Sequence, residues 1–131
     1  MTLRPATFAC ATALALGAAP LSPAERAQPI AVALSNFDFT PSTIPMVHGR
    51  AYALTLTNTA GGGHNFAAPA FFAAAKVEPA DRARIAGGTV EVAGGQSVTI
   101  HLSAPAAGRY KVRCTHTFHT MFGMKGAIVV S

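Results

Sequence analysis

Reactive side chains are scarce in this chain. It carries two cysteines, five acidic residues and 11% charged residues in 131 positions. Its ten Lys and Arg are scattered, with no run of five or more like charges, which argues against a nucleic-acid partner. The apolar stretch ATFACATALALGAAP behind Arg4 is too short for a relaxed membrane span. No internal repeat, low-complexity tract or second domain interrupts the remainder, so a single domain is expected.

That same stretch has the length of a secretory signal core, and residues 1–27 read as a signal peptide. Cleavage is expected after Ala24 or Ala27, although Pro23 and Glu25 are poor neighbours for it; an uncleaved anchor is the alternative. Export to the periplasm removes Cys10 and leaves Cys114 as the one thiol of the mature chain. A single thiol in an oxidising compartment is a liability unless something occupies it, the plain alternative being an inert buried cysteine. Losing Arg4, Glu25 and Arg26 leaves eight Lys and Arg against four Asp and Glu, a net +4, which fits a mildly acidic protein partner.

From Ile30 onward, short alternating segments broken by Gly, Pro, Asn and Ser predict an all-β sandwich over residues 28–131. Ile30, Val32 and Leu34 share a strand face, and Phe37 and Phe39 then shift the phase, which predicts a bulge or a crossing between sheets. Tyr52, Leu54 and Leu56 make a half-buried strand ending at Asn58. Val90 and Val92, the Gly94-Gly95 turn, and Val98, Ile100 and Leu102 predict a hairpin. Tyr110, Val112 and Cys114 face inward opposite Arg109, Lys111 and Arg113, and Ile128 and Val130 close the chain. Residues 69–88 read as a loop with a short helix after Pro79, and His48 and His101 read as solvated.

What the chain does possess is concentrated. The stretch CTHTFHTMFGM, residues 114–124, packs one cysteine, two histidines and two methionines into eleven positions. Thiolate, imidazole and thioether are soft or borderline donors, and together they select copper over calcium, magnesium or manganese. Two histidines and a cysteine with a long, weak axial methionine make an electron-transfer copper centre. One histidine must come from elsewhere, and GGGHNF at 61–66 offers His64. Within the cluster an H-x4-M step occurs twice, as His116 with Met121 and as His119 with Met124.

An upstream His-Asn paired with a Cys…His…Met loop that runs into GAIVV resembles the cupredoxins, the type 1 copper proteins of the plastocyanin, azurin and rusticyanin kind. The resemblance covers about residues 30–131 and is centred on GGGHNF and RYKVRCTHTFHTMFGMKGAIVV. It implies a Greek-key β-sandwich with one short helix or loop excursion. It also implies one copper ion, cycling between Cu(I) and Cu(II), on His64, Cys114, His119 and Met124. The later His–Met pair is favoured because Cys-x-His is tighter than the family's ligand loops and because Met124 leads directly into the closing strand. Asn65 takes the position of an asparagine that ties the two ligand loops together.

The implied function is that of a periplasmic mononuclear copper protein passing single electrons between redox proteins, such as a c-type cytochrome or an oxidase. It would be a monomer, with no nucleic acid and no small-molecule substrate. Three protein ligands plus an axial one leave no open position, which argues against an enzyme. Multicopper oxidases and the binuclear oxidase centre need HxH pairs or a second cysteine, which the mature chain lacks. The alternative is a periplasmic copper tolerance or delivery protein using the same site, but Met- or His-rich tracts are missing outside the ligand loop. A metal-free fold serving only protein contact is a third reading, against which the complete ligand set stands. Phe66, Phe118, Met121 and Phe122 are expected to form an apolar docking patch beside His119, with Phe66 the first candidate for burial instead. Lys111, Arg113 and Lys125 flank the same end of the chain and suit an acidic partner.

Overall fold

The computed structural model describes residues 17–22, 25–116 and 123–131. Most of the expected signal peptide therefore lies outside the described residues. Among them no helix is long and apolar enough to cross a membrane.

Period-two alternation builds the sandwich. In β4 (Ala51–Asn58) Tyr52, Leu54 and Leu56 are at most 2% exposed. Their neighbours Thr55 and Thr57 pair through their hydroxyls with Thr99 (2.9 Å) and Ser97 (2.8 Å) on the other face. One five-stranded sheet runs in the order β2 (Asp38–Thr40), β1 (Gln28–Ser35), β4, β8 (Ser97–Ser103), β6 (Lys76–Val77). The second runs β3 (Thr43–Met46), β10 (Lys125–Val130), β9 (Gly108–Arg113), β5 (His64–Ala67), β7 (Thr89–Val92). The β1/β4 and β3/β10 pairs are parallel and join strands far apart in sequence, the interleaving expected of a Greek-key sandwich. Val32, Leu34, Leu54, Leu56 and Ile100 of one sheet share a core with Phe66, Val90, Val112 and Ile128 of the other. Each side chain of this size contributes about 1.5–3 kcal/mol when fully buried.

Several local expectations are corrected. The two runs flanking Gly94-Gly95 do not pair with each other: β7 pairs with β5 and β8 with β4 and β6, so the turn crosses between sheets. The crossing is tight, because a Cβ at Gly94 would run into the Gly61 carbonyl oxygen. The bulge expected at Phe37 is instead a two-residue turn, Asn36-Phe37, between β1 and β2, with Phe37 at φ +67° and exposed. Phe39 enters the core, and the chain changes sheets after it, between β2 and β3. Residues 69–88 hold two short helices, an α-helix α1 (Pro69–Ala74) that buries Phe71 and Phe72 and a 3-10 helix (Pro79–Arg84) at the expected place after Pro79.

The outlying histidines are engaged in hydrogen bonds. His48, exposed, has Nδ1 2.8 Å from the Pro105 carbonyl oxygen. His101 gives both its backbone N–H and its Nδ1 to Asp81 Oδ2, each at 2.8 Å, pinning the 3-10 helix to β8. Burial alone would raise the Asp81 carboxyl, but the His101 N–H, the His101 ring and Arg84 outweigh it and hold the group below its ordinary value.

Candidate metal centre

The loop before β5 is set by one buried amide. Asn58 occupies the next inward position of β4 after Leu56, where an apolar residue would continue the pattern, and is fully buried. Its Nδ2 donates to the carbonyls of Gly62 (2.8 Å) and Val92 (2.9 Å), and its Oδ1 accepts from the Ala60 N–H (2.9 Å). This bracket delivers His64 as the first residue of β5, only 2% exposed. Asn58 ends β4 as its sequence predicts, and a polar residue on the inward phase of an apolar strand is the signal for its further role.

From the other side, β9 carries its alternation past Arg113 and turns Cys114 inward to 0% exposure. Its Sγ lies 3.9 Å from Nδ1 of His64. A first-row ion bonds a thiolate at about 2.3 Å and an imidazole nitrogen at about 2.0 Å, so this separation lets one ion touch both. The Asn65 backbone N–H points at the same sulfur, 3.5 Å away. Met124, fully buried, accepts the Cys114 N–H at its carbonyl oxygen (3.1 Å), which closes the ligand loop where β9 and β10 meet. Among the described residues no three or more His, Cys, Asp or Glu stand close enough together to hold a metal ion by themselves. Of the expected donors, His64 and Cys114 are brought within reach of one ion and Met124 is buried where the loop closes, while His119 lies outside the described residues, as do Phe118, Met121 and Phe122.

The comparisons with known proteins decide the family. The profile of copper binding proteins, plastocyanin/azurin family, matches residues 29–131. The chain is a cupredoxin. Among solved structures this cupredoxin is similar to reduced auracyanin from the photosynthetic bacterium Roseiflexus castenholzii, with 24% identity, 80% of this chain and 98% of the other covered, and a TM-score of 0.59. It is similar also to auracyanin A, a blue copper protein of Chloroflexus aurantiacus (19% identity, 79% and 99% covered, TM-score 0.55). A multicopper oxidase of Aquifex aeolicus shares the fold over 86% of this chain but 31% of its own (17% identity, TM-score 0.63). No curated protein matches the chain in sequence. The metal of this cupredoxin is copper, as one ion, and the soft donors placed here suit it.

Around the centre, Asn65 is the tie between the two ligand loops. Its Nδ2 donates to Thr115 Oγ1 (2.8 Å) and Glu91 Oε1 (2.7 Å), and its Oδ1 accepts the Thr115 N–H (2.8 Å). Glu91 in turn receives His116, whose Nε2 is 3.0 Å from its second oxygen. Partial burial pushes the Glu91 carboxyl up, but the Asn65 amide and the His116 ring outweigh it and hold it below the usual range. The His116 ring is 6.5 Å from that of His64, with its Nε2 directed at Glu91. Glu91 carried no signal in the sequence, because a carboxylate on the solvent phase of a strand is commonplace. Phe66, one of the residues considered for the docking patch, is fully buried and belongs to the core.

Asn65→Ala removes three hydrogen bonds at once and leaves the Thr115 N–H without its acceptor. We expect the metal-free protein to lose about 1–3 kcal/mol in a urea titration, since each bond contributes about 0.5–1.5 kcal/mol net and the exposed partners Thr115 and Glu91 regain water. Copper release to a chelator, followed by stopped-flow, should quicken in the same variant, while the Asn65 backbone N–H to sulfur is retained.

Proposed function

We propose that this cupredoxin is an electron carrier of the periplasm, holding one copper ion on His64, Cys114, His119 and Met124 and exchanging single electrons with protein partners. The observation that carries this reading is the buried thiol of Cys114, held 3.9 Å from His64 and facing the Asn65 N–H. Copper, when bound, supplies a one-electron couple between Cu(I) and Cu(II). The chain supplies the rest. His64, opening β5, and Cys114, directly after β9, are held by neighbouring strands of one sheet, so neither needs to move when charge changes. The Asn65 N–H stabilises negative charge on sulfur, and the apolar packing around Cys114 and Met124 keeps water out. Three protein ligands plus an axial one would leave no position for a substrate, which favours a carrier over an enzyme.

His119 is taken as the second imidazole on loop spacing, since the methionine that follows it, Met124, leads directly into the closing strand. The bond from His116 Nε2 to Glu91 leaves the His116 Nδ1 able to bind a metal, so the two histidines are separated by the variants below. Export rests on the apolar run behind Arg4, and its consequence is that Cys114 is left as the one thiol, the one a metal would protect. The test is to load the protein with Cu(II), record the visible thiolate-to-copper band, and measure electron exchange with a c-type cytochrome by stopped-flow. We expect an intense band and rapid exchange, with the band lost in His119→Ala and kept in His116→Ala. The reverse pattern overturns the ligand choice. A colourless protein that binds Cu(I) tightly and exchanges slowly overturns the carrier in favour of copper tolerance or delivery.

A further inference from the structure

On the outer face of the second sheet, Arg109, Lys111 and Arg113 alternate along β9 and are all exposed. Alternate residues of a strand lie about 6.7 Å apart, so the three form a straight cationic ridge. Lys125 of β10 stands directly opposite Arg113 in the ladder and is exposed on the same face. Like charges opposed across an antiparallel pair destabilise a sheet, so folding gains nothing from this arrangement. No carboxylate relieves it: among the described residues none of the four cations is within ion-pair distance of one. The ridge is bordered by two shallow grooves. One, of about 460 Å³, runs between β9 and α1 over Ala67, Pro69 and Ala70. The other, of about 370 Å³, lies over Gly126 and Ala127 of β10.

We propose that this ridge is the docking surface for an acidic face of the redox partner protein. The proposal deepens the carrier reading and rests on it for the partner's redox character. Four unneutralised cations call for carboxylates, and the flanking grooves offer apolar floor for the side chains between them. The ridge ends at Arg113, the residue bonded to Cys114, so a partner seated on it lies beside the strand that positions the sulfur. An anionic membrane surface is the weaker fit, because none of the large hydrophobics exposed among the described residues, Leu21, Phe37 and Val47, belongs to β9 or β10.

The experiment is an amide-shift titration of the Cu(I)-loaded protein with a hexaglutamate peptide at low ionic strength, repeated at high salt. We expect shifts confined to residues 109–113 and 125–127 that vanish in salt. Lys125→Glu should weaken binding about fivefold, the equivalent of one exposed ion pair lost, while its melting temperature holds or rises because Arg113 gains an opposite charge. Lys76→Glu, on the far edge strand, should leave binding unchanged. Shifts spread evenly over Lys76, Arg82 and Arg84, or a Lys125→Glu variant that binds as before, overturn the proposal. So does tight binding to phosphatidylglycerol vesicles with no response to hexaglutamate, which assigns the ridge to a membrane. The readout does not depend on colour. A missing Cu(II) band with intact mapping removes the carrier reading alone, and an intense band with no mapping removes the docking surface alone.

Discussion

Cys114→Ser is expected to abolish the intense visible band of the Cu(II)-loaded protein while leaving the metal-free fold nearly intact. The band requires a thiolate, and a serine hydroxyl at neutral pH is neither anionic nor soft. The fold, by contrast, uses this residue mainly through its backbone: its N–H donates to the Met124 carbonyl (3.1 Å) whatever the side chain. A serine oxygen can accept the Asn65 N–H that now points at sulfur, so the buried hydroxyl is not stranded. Thermal melting of the metal-free variant should therefore stay close to the parent, and copper titration should show weaker, colourless binding. A visible band of undiminished intensity in Cys114→Ser would mean that the thiolate is not the copper ligand.

Phe66→Ala should be the most damaging single change to stability, at about 3–5 kcal/mol. Phe66 is fully buried, on β5 of the second sheet, and makes edge-to-face contacts with Phe39 of the first sheet (5.7 Å between centroids) and Phe72 of α1 (6.2 Å). Truncating it opens a cavity where two sheets and a helix meet, and the rings around it cannot all close on the gap. For a domain of this size a loss of that order lowers the melting temperature by about 12 °C or more. His64 precedes Phe66 by two residues on the same face of β5, so copper affinity should fall in the same variant. Differential scanning calorimetry of the metal-free protein checks the first effect and competition with a chelator the second. A melting temperature within a few degrees of the parent would show that the core can repack around the gap.

Strands whose identity is local were legible, and pairings that are non-local were not. The alternation through Tyr52, Leu54 and Leu56 declares β4 because one face is buried, and the same rule turned Cys114 inward. Gly94-Gly95 between two alternating runs looks the same whether the runs pair with each other or enter different sheets. What decides it is the register of Val92 against His64 and of Val98 against Leu56, partners that no short window contains. The clasp of Asp81 on His101 is likewise a contact across 20 residues with no periodic trace. At the centre, residue types singled out His64 and Cys114, which the fold brings to 3.9 Å of each other, since soft donors are rare and their chemistry is specific. The groups that hold them, Asn58 and Glu91, are ordinary residues whose roles come from position alone.

Asn58 also bears on how the metal is taken up. A Gly-Gly-Gly run ahead of a ligand is the costliest kind of chain to order, because glycine loses the most backbone freedom. Here one buried amide, clasping Gly62, Val92 and Ala60, orders it as part of folding. The entropy of the loop is thus lost before any ion arrives, and little remains to be lost on capture. On this side of the proposed site, an arriving ion would find His64 already in place rather than wait for the glycine run to order.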